Sequence, residues 1–251
     1  MTERYFTDMP LQGDTVQLVG AEAQHLVKVM RASAGDEIVL FDGTGIECTA
    51  RIAEIRRQEV RLDQLVCRPV DRELPFPLEL GVALPKGDRQ RWLVEKLTEL
   101  GVTVLVPLIT TRSVVRPDEG SLLRLRRTVI EASKQCGRNR LLQIALPQRW
   151  SDYVAGAGRG VVRWLAHPGA GALRQPSERL APGPAAPGER RGSLPAGGPV
   201  PVSIAVGPEG GFTADEVVAA VEAGWTCVSL GPRILRVETA AVALAAAATV
   251  E

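Results

Sequence analysis

Aromatic side chains are scarce in this chain, at 4% of 251 residues. Proteins that stack successive bases on aromatic platforms need more of them, so stacking is not expected to be the main mode of any nucleic-acid contact. Histidine is scarcer still, with only His25 and His167. The four cysteines, Cys48, Cys67, Cys136 and Cys227, form no Cys-x-x-Cys pair. A tetrahedral zinc site needs four such ligands at close spacing, so no metal is expected, and the cysteines are expected to be buried or idle thiols. Met1-Thr2-Glu3-Arg4 lacks the basic-then-apolar start of a secretory signal. The longest apolar run, Ala240 to Val250, is too short for the roughly 20 residues that cross a bilayer. No membrane partner and a cytoplasmic location are therefore expected.

The apolar fraction, 45%, is ordinary for a globular protein and allows a sizeable core. The net charge of +1 conceals an asymmetry. Residues 1–72 hold 9 Lys/Arg against 12 Asp/Glu, a net of −3, whereas residues 86–150 hold 13 against 6, a net of +7. A polyanion would be met mainly by the middle of the chain.

The first seventy residues carry short β-type runs. Thr15 to Leu18 alternates, Glu37 to Asp42 precedes a Gly43-Thr44-Gly45 turn, and Ile46–Ile55 and Glu59–Val66 continue the pattern. A small barrel is expected, interrupted by one helix from Glu22 to Met30 with Leu26, Val29 and Met30 on its core face. Asp71 to Pro77 is charged, holds two prolines and lacks a period, which places a boundary between domains at 1–71 and 76–251.

Beyond the boundary, strands and helices alternate. Leu78–Leu84, Val102–Leu108, Val161–Leu165, Val202–Val206 and Cys227–Leu230 are strand-like; Gln90–Leu100, the basic Leu122–Cys136 and the Ala-rich tail are helix-like. This order predicts an α/β fold with a mostly parallel sheet. Gly169 to Pro201 is rich in Gly, Ala, Pro, Ser and Arg and lacks an apolar period, so a mobile insertion is expected, with Arg174, Arg179, Arg190 and Arg191 as a conceivable RNA grip.

Chemistry concentrates in three loops that follow predicted strands: His167-Pro168-Gly169, Gly207-Pro208-Glu209-Gly210-Gly211-Phe212, and Leu230-Gly231-Pro232-Arg233-Ile234-Leu235-Arg236-Val237-Glu238-Thr239-Ala240. Open α/β sheets bind ligands at the carboxyl ends of their strands, so the loops can form one crevice. Glycines let a ligand approach the backbone, and Thr213-Ala214-Asp215-Glu216 fits a capping box that starts a helix just behind the second loop. The spacing is neither a phosphate loop nor Gly-x-Gly-x-x-Gly, and no Lys follows.

These loops resemble those of the bacterial 16S ribosomal RNA uracil-N3 methyltransferase family. The resemblance extends through Arg4-Tyr5-Phe6, His25 to Arg31, Lys86-Gly87-Asp88-Arg89, Glu95 to Val102, Thr111-Arg112-Ser113 and Glu131 to Arg138. It implies a SPOUT-type domain with a C-terminal trefoil knot, an N-terminal PUA-like barrel, a homodimer, and S-adenosyl-L-methionine as cofactor. Its substrate would be a uridine of 16S ribosomal RNA in the small ribosomal subunit. By position, the cofactor would be held by Leu165, His167, Gly207, Glu209, Gly210, Gly211, Leu230, Gly231, Ile234, Leu235 and Arg236. RNA would be met by Arg4, Arg31, Lys86, Arg89, Arg112 and Arg138. Arg236 is the candidate for stabilising the uracil anion, and Glu238 for accepting its proton or orienting Arg236. Ribose methyltransferases of the same superfamily show an Asn and Arg pair near the start of the catalytic domain, whereas Leu78 to Arg91 contains no Asn.

Overall fold

The computed structural model describes residues 3–57, 59–156, 158, 160–169 and 200–249. Nearly all of the Gly169 to Pro201 insertion, with its four arginines, lies outside the described residues. No helix among the described residues is long and apolar enough to cross a membrane.

The chain divides into two compact units, residues 1–73 with 130–141, and residues 74–129 with 142–251. In the first, β1 (Arg4–Phe6), β2 (Val16–Val19), β3 (Glu37–Phe41), β4 (Ile46–Ile55) and β5 (Glu59–Pro69) form one sheet in the order β1-β3-β4-β5-β2. The β1–β3 pair is parallel and the others are antiparallel. Alternation decides which side faces inward: Val16 and Leu18 are buried on β2 while Gln17 and Val19 are exposed. Register shifts along β4 and β5, near Thr49/Arg51 and Ile52/Glu54, add local twist. The sheet curls as a half-barrel around Tyr5, Leu18, Leu40, Ile52, Val60 and Leu62.

The interrupting helix differs from its expected face. Helix α1 (Gly20–Gln24) runs into a π-helical turn, His25–Val29, in which the Met30 N–H reaches the His25 carbonyl at 3.1 Å. A wider turn breaks the 3.6-residue spacing. Leu26 and Ala23 enter the core, but Val29 and Met30 are exposed. The cysteine expectation also needs correcting. Antiparallel register sets Cys48 of β4 directly opposite Cys67 of β5, and the two are joined in a disulfide. Cys136 and Cys227 are free.

Ion pairs bring residues 130–141 into this unit. Glu47, nearly buried, is met by Arg4 at 2.5 Å, Arg72 at 3.1 Å and the Asn139 amide at 3.4 Å. Arg138 pairs with Glu73, and Lys134 with Glu22 at 3.0 Å.

The second unit has an all-parallel main sheet of β6 (Leu78–Val82), β7 (Val104–Ile109), β8 (Gln143–Ile144), β10 (Val162–Ala166), β11 (Val202–Val206) and β12 (Thr226–Val228), with β9 (Gln148–Arg149) pairing β7. Its order is β12-β10-β11-β6-β7-β8. Helices α2 (Arg89–Glu99) and α6 (Val237–Thr249) contact each other, and α6 packs on β6 and β11. Ala241, Leu244, Ala245 and Ala248 make up the buried side of α6, where small side chains let the helix come close. Helices α4 (Trp150–Gly156) and α5 (Ala214–Glu222) also pack together, over a cluster of Trp150, Tyr153, Leu165, Ala205, Phe212 and Trp225. Helix α3 (Glu119–Cys136) carries exposed Arg124, Arg126 and Arg127. The topology matters for function: β12, β10 and β11 are neighbours and parallel, so the loops leaving them emerge side by side at one edge.

Candidate functional site

Those three loops enclose a crevice of about 410 Å³. It is lined by Ala166–Pro168 after β10, by Val206–Phe212 after β11, and by residues between Val228 and Ala240 after β12. Gly211 has φ +67°, a left-handed conformation in which a side chain is strained, and its N–H closes a turn onto the Pro208 carbonyl at 2.7 Å. A Cβ on Gly207 would lie 2.9 Å from the Phe212 ring, so only glycine permits that close approach. Phe212 is fixed from behind by Trp150, with ring centroids 4.4 Å apart.

Helix α5 starts immediately behind the second loop. The Thr213 hydroxyl accepts from the Glu216 N–H at 3.2 Å, and the Glu216 carboxylate accepts from the Thr213 N–H at 2.8 Å, which completes the capping box. The other Glu216 oxygen accepts from the Thr111 N–H at 2.8 Å and so ties in the segment after β7. Burial pushes the Glu216 carboxyl up, but the N–H groups of Thr111 and Thr213 outweigh that and hold it below the usual carboxylate range.

Of the positions expected to hold a cofactor, His167, Gly207, Glu209, Gly210, Gly211, Leu230, Gly231, Ile234 and Leu235 line the crevice. Leu165 and Arg236 do not. Leu165 lies inside β10, between β11 and β12, and is fully buried in the core. Arg236 is exposed, while Leu235 and Val237 on either side of it line the wall. Arg233 is the arginine of that segment that does line the crevice, together with Phe212, Val206 and Ser229. Strand-to-loop position could have suggested these last three; nothing in the sequence separates Arg233 from Arg236.

Glu238, the candidate for accepting the uracil proton or orienting Arg236, lies behind the crevice wall. It is buried, does not line the crevice, and faces Arg89 at 3.5 Å. Four of the six expected RNA-binding residues are also engaged elsewhere. Arg4 is tied to Glu47 and to the Asn139 side chain at 2.5 Å, and Arg138 is buried against Glu73. Arg89 bridges Glu209 at 2.9 Å and Glu238. Arg112 donates to the Gly210 carbonyl at 2.7 Å. The partners lie far away in sequence, which is why composition presented all four as free cations. Lys86 and Arg31 are exposed and form no ion pair among the described residues.

Comparison with known proteins agrees with this geometry. A profile described as the RNA methyltransferase domain matches residues 72–249, and one described as the RNA methyltransferase PUA domain matches residues 18–65. The chain is 34% identical to ribosomal RNA small subunit methyltransferase E of Synechocystis, over 92% of this chain and 72% of that one. The chain belongs to the ribosomal RNA small subunit methyltransferase E family. The Bacillus subtilis member is 30% identical over 95% of this chain and 92% of its own length. Among solved structures, the family member from Neisseria gonorrhoeae, bound to S-adenosyl methionine, superposes with a TM-score of 0.81 at 32% identity, covering 98% of this chain and 96% of that one. A Legionella pneumophila methyltransferase with bound SAM gives 0.82 at 28% identity, covering 98% and 96%. The family thus pairs an α/β parallel-sheet methyltransferase domain with a PUA domain, and the glycine loops lie in the former.

Proposed function

We propose that the protein transfers a methyl group from S-adenosyl-L-methionine to N3 of one specific uridine in 16S ribosomal RNA of the small subunit, as a cytoplasmic homodimer. The observation that carries this reading is the crevice built by three adjacent strand-end loops, in a family with a solved member bound to S-adenosyl methionine. The trefoil knot of SPOUT domains belongs to the same reading, as does a boundary between an RNA-binding domain at 1–71 and a catalytic domain at 76–251.

The residues present suit that cofactor. The crevice volume falls within the range of small-molecule sites, and Leu230, Leu235, Val206 and Phe212 supply apolar surface for an adenine ring. The glycine turns offer backbone groups to its edge nitrogens. Arg233 is a lining residue of positive charge, suited to the carboxylate of the methionine tail. When bound, the cofactor supplies an electrophilic methyl on a sulfonium.

Uracil N3 carries a proton, which must pass to solvent before the N3 lone pair can form a bond to the methyl carbon, the sulfur keeping the electron pair of the carbon–sulfur bond that breaks. As the proton leaves, negative charge develops on the two ring carbonyl oxygens. Arg236 is exposed at the lip between Leu235 and Val237 and makes no hydrogen bond or ion pair with its side chain among the described residues. A guanidinium there offsets the developing charge. Glu238 serves as an anchor for Arg89 rather than as a base. RNA phosphates are met by Lys86, Arg31 and the exposed arginines of α3, which position the substrate without reading its sequence.

The test is incubation with isotopically labelled S-adenosyl-L-methionine and either small subunits or naked 16S RNA from a methylation-deficient strain, followed by mass spectrometry of the nucleosides. Label in 3-methyluridine is the expected result. Label on a ribose 2′-oxygen or on another base would overturn the assignment, and no label in either substrate would overturn the enzyme activity.

A further inference from the structure

The turn at Pro208–Gly211 holds the second crevice loop internally, and the His167 N–H to the Val228 carbonyl ties the first loop to the end of β12, but neither holds the second loop against the third. Arg89, in the first turn of α2, does so. Its Nη2 donates to Glu209 at 2.9 Å and its Nη1 to Glu238 at 3.5 Å. Glu209 is in the second loop; Glu238 is the second residue of α6, directly after the third. Arg89 itself does not line the crevice.

The burial of the three groups gives the contact a direction. The Glu238 side chain is 8% exposed, that of Arg89 35% and that of Glu209 47%. A nearly buried carboxylate requires a partner, so Glu238 fixes the guanidinium. The planar fork then presents a second N–H to Glu209 at the surface. Arg112, in the segment after β7, adds a backbone tie, from its Nη1 to the Gly210 carbonyl at 2.7 Å. The middle of the second loop is therefore gripped by its side chain at Glu209 and its backbone at Gly210, from two segments outside the crevice.

We propose that Arg89 is a positioning residue that locks the second crevice loop to the start of α6 and so keeps the binding site preformed. The exposed half of the bridge adds little to global stability, as surface ion pairs generally do. Its effect is on loop order and, through that, on affinity, because a preorganised loop loses less entropy on binding. The affinity part rests on the crevice being the S-adenosyl-L-methionine site; the loop-order part does not.

Arg89→Ala alone would strand the Glu238 carboxylate and destabilise the fold, so the variants are Arg89→Ala with Glu238→Gln, and Glu209→Gln alone. Hydrogen exchange at the Gly211 amide, which bonds the Pro208 carbonyl, reports the loop in ligand-free protein. In both variants exchange should rise about fivefold or more, with the melting temperature of Glu209→Gln within about 2 °C of the parent, because the Glu209 carboxylate is committed to Arg89 and not to a ligand. S-adenosyl-L-methionine binding by calorimetry should weaken about fivefold in each, and combining all three substitutions should add little. Unchanged exchange at Gly211 in both variants would overturn the clamp, and so would losses that multiply in the triple variant. If the parent protein binds no S-adenosyl-L-methionine, the cofactor reading fails, and the exchange measurement still decides the clamp.

Discussion

Arg233 is an exposed lining residue of the crevice with no hydrogen-bonding or ionic partner among the described residues, so its guanidinium is available to an anion bound there. If the cofactor's carboxylate is that anion, the consequence is selective. Arg233→Ala should weaken binding of S-adenosyl-L-methionine about tenfold, which corresponds to about 1.4 kcal/mol. Binding of the decarboxylated cofactor, which keeps the adenosine, the sulfonium and the amine, should not change. Calorimetry with both ligands on both proteins gives the comparison. An equal loss for the two ligands would show that Arg233 shapes the wall without meeting the carboxylate. The same residue-scale logic explains why the arginines were hard to sort in advance. Arg4 and Arg138 were expected on RNA, yet each is neutralised by a glutamate, Glu47 or Glu73, that is distant in sequence.

At the scale of elements, the capping box connects the glycine loop to the rest of the unit. Thr213→Ala removes one acceptor at the start of α5 and should lower unfolding free energy by about 1 kcal/mol. Glu216→Ala should lower it further, by about 2 kcal/mol, because it strands the Thr111 and Thr213 N–H groups together. Urea denaturation measures both, and a Glu216 variant no worse than the Thr213 variant would show that the Thr111 tie contributes nothing. This box was legible in the sequence because a cap is a local pattern over four residues. So were the strand-ending glycine loops and their gathering at one edge, which follows from a parallel sheet. Features set by tertiary partners were not legible. The π-helical turn moves Val29 and Met30 out of the core, although their spacing pointed inward. Cys48 and Cys67 are 19 residues apart and meet only through the β4–β5 register. Leu165 falls in the core because β10 is flanked by strands on both sides, which its place beside a loop conceals.

At the scale of the whole molecule, the first unit is not one stretch of chain. Residues 130–141 belong to it, and polar contacts help join the pieces: Arg138 pairs with Glu73, Lys134 with Glu22, and the Asn139 amide donates to Glu47, which Arg4 and Arg72 also meet. Burial pushes the Glu47 carboxyl up, but the hydrogen bonds and charges of Arg4 and Arg72 outweigh it and lower its pKa from 4.5 to about 2. The folded state therefore holds its proton more weakly than the unfolded chain does. Stability from this carboxylate is fully present above the unfolded value and is lost as pH falls through the interval down to about 2. Glu47→Gln should cost on the order of 2 kcal/mol at neutral pH, since it leaves the Arg4 charge buried against a neutral amide. The gap between the two proteins should close as the wild-type carboxyl takes up its proton, because both then present a neutral group to the same guanidinium. Denaturant titrations from neutral pH into that acid interval test the sign directly. A difference that stays constant across the interval would mean that Glu47 contributes shape rather than charge to this cluster.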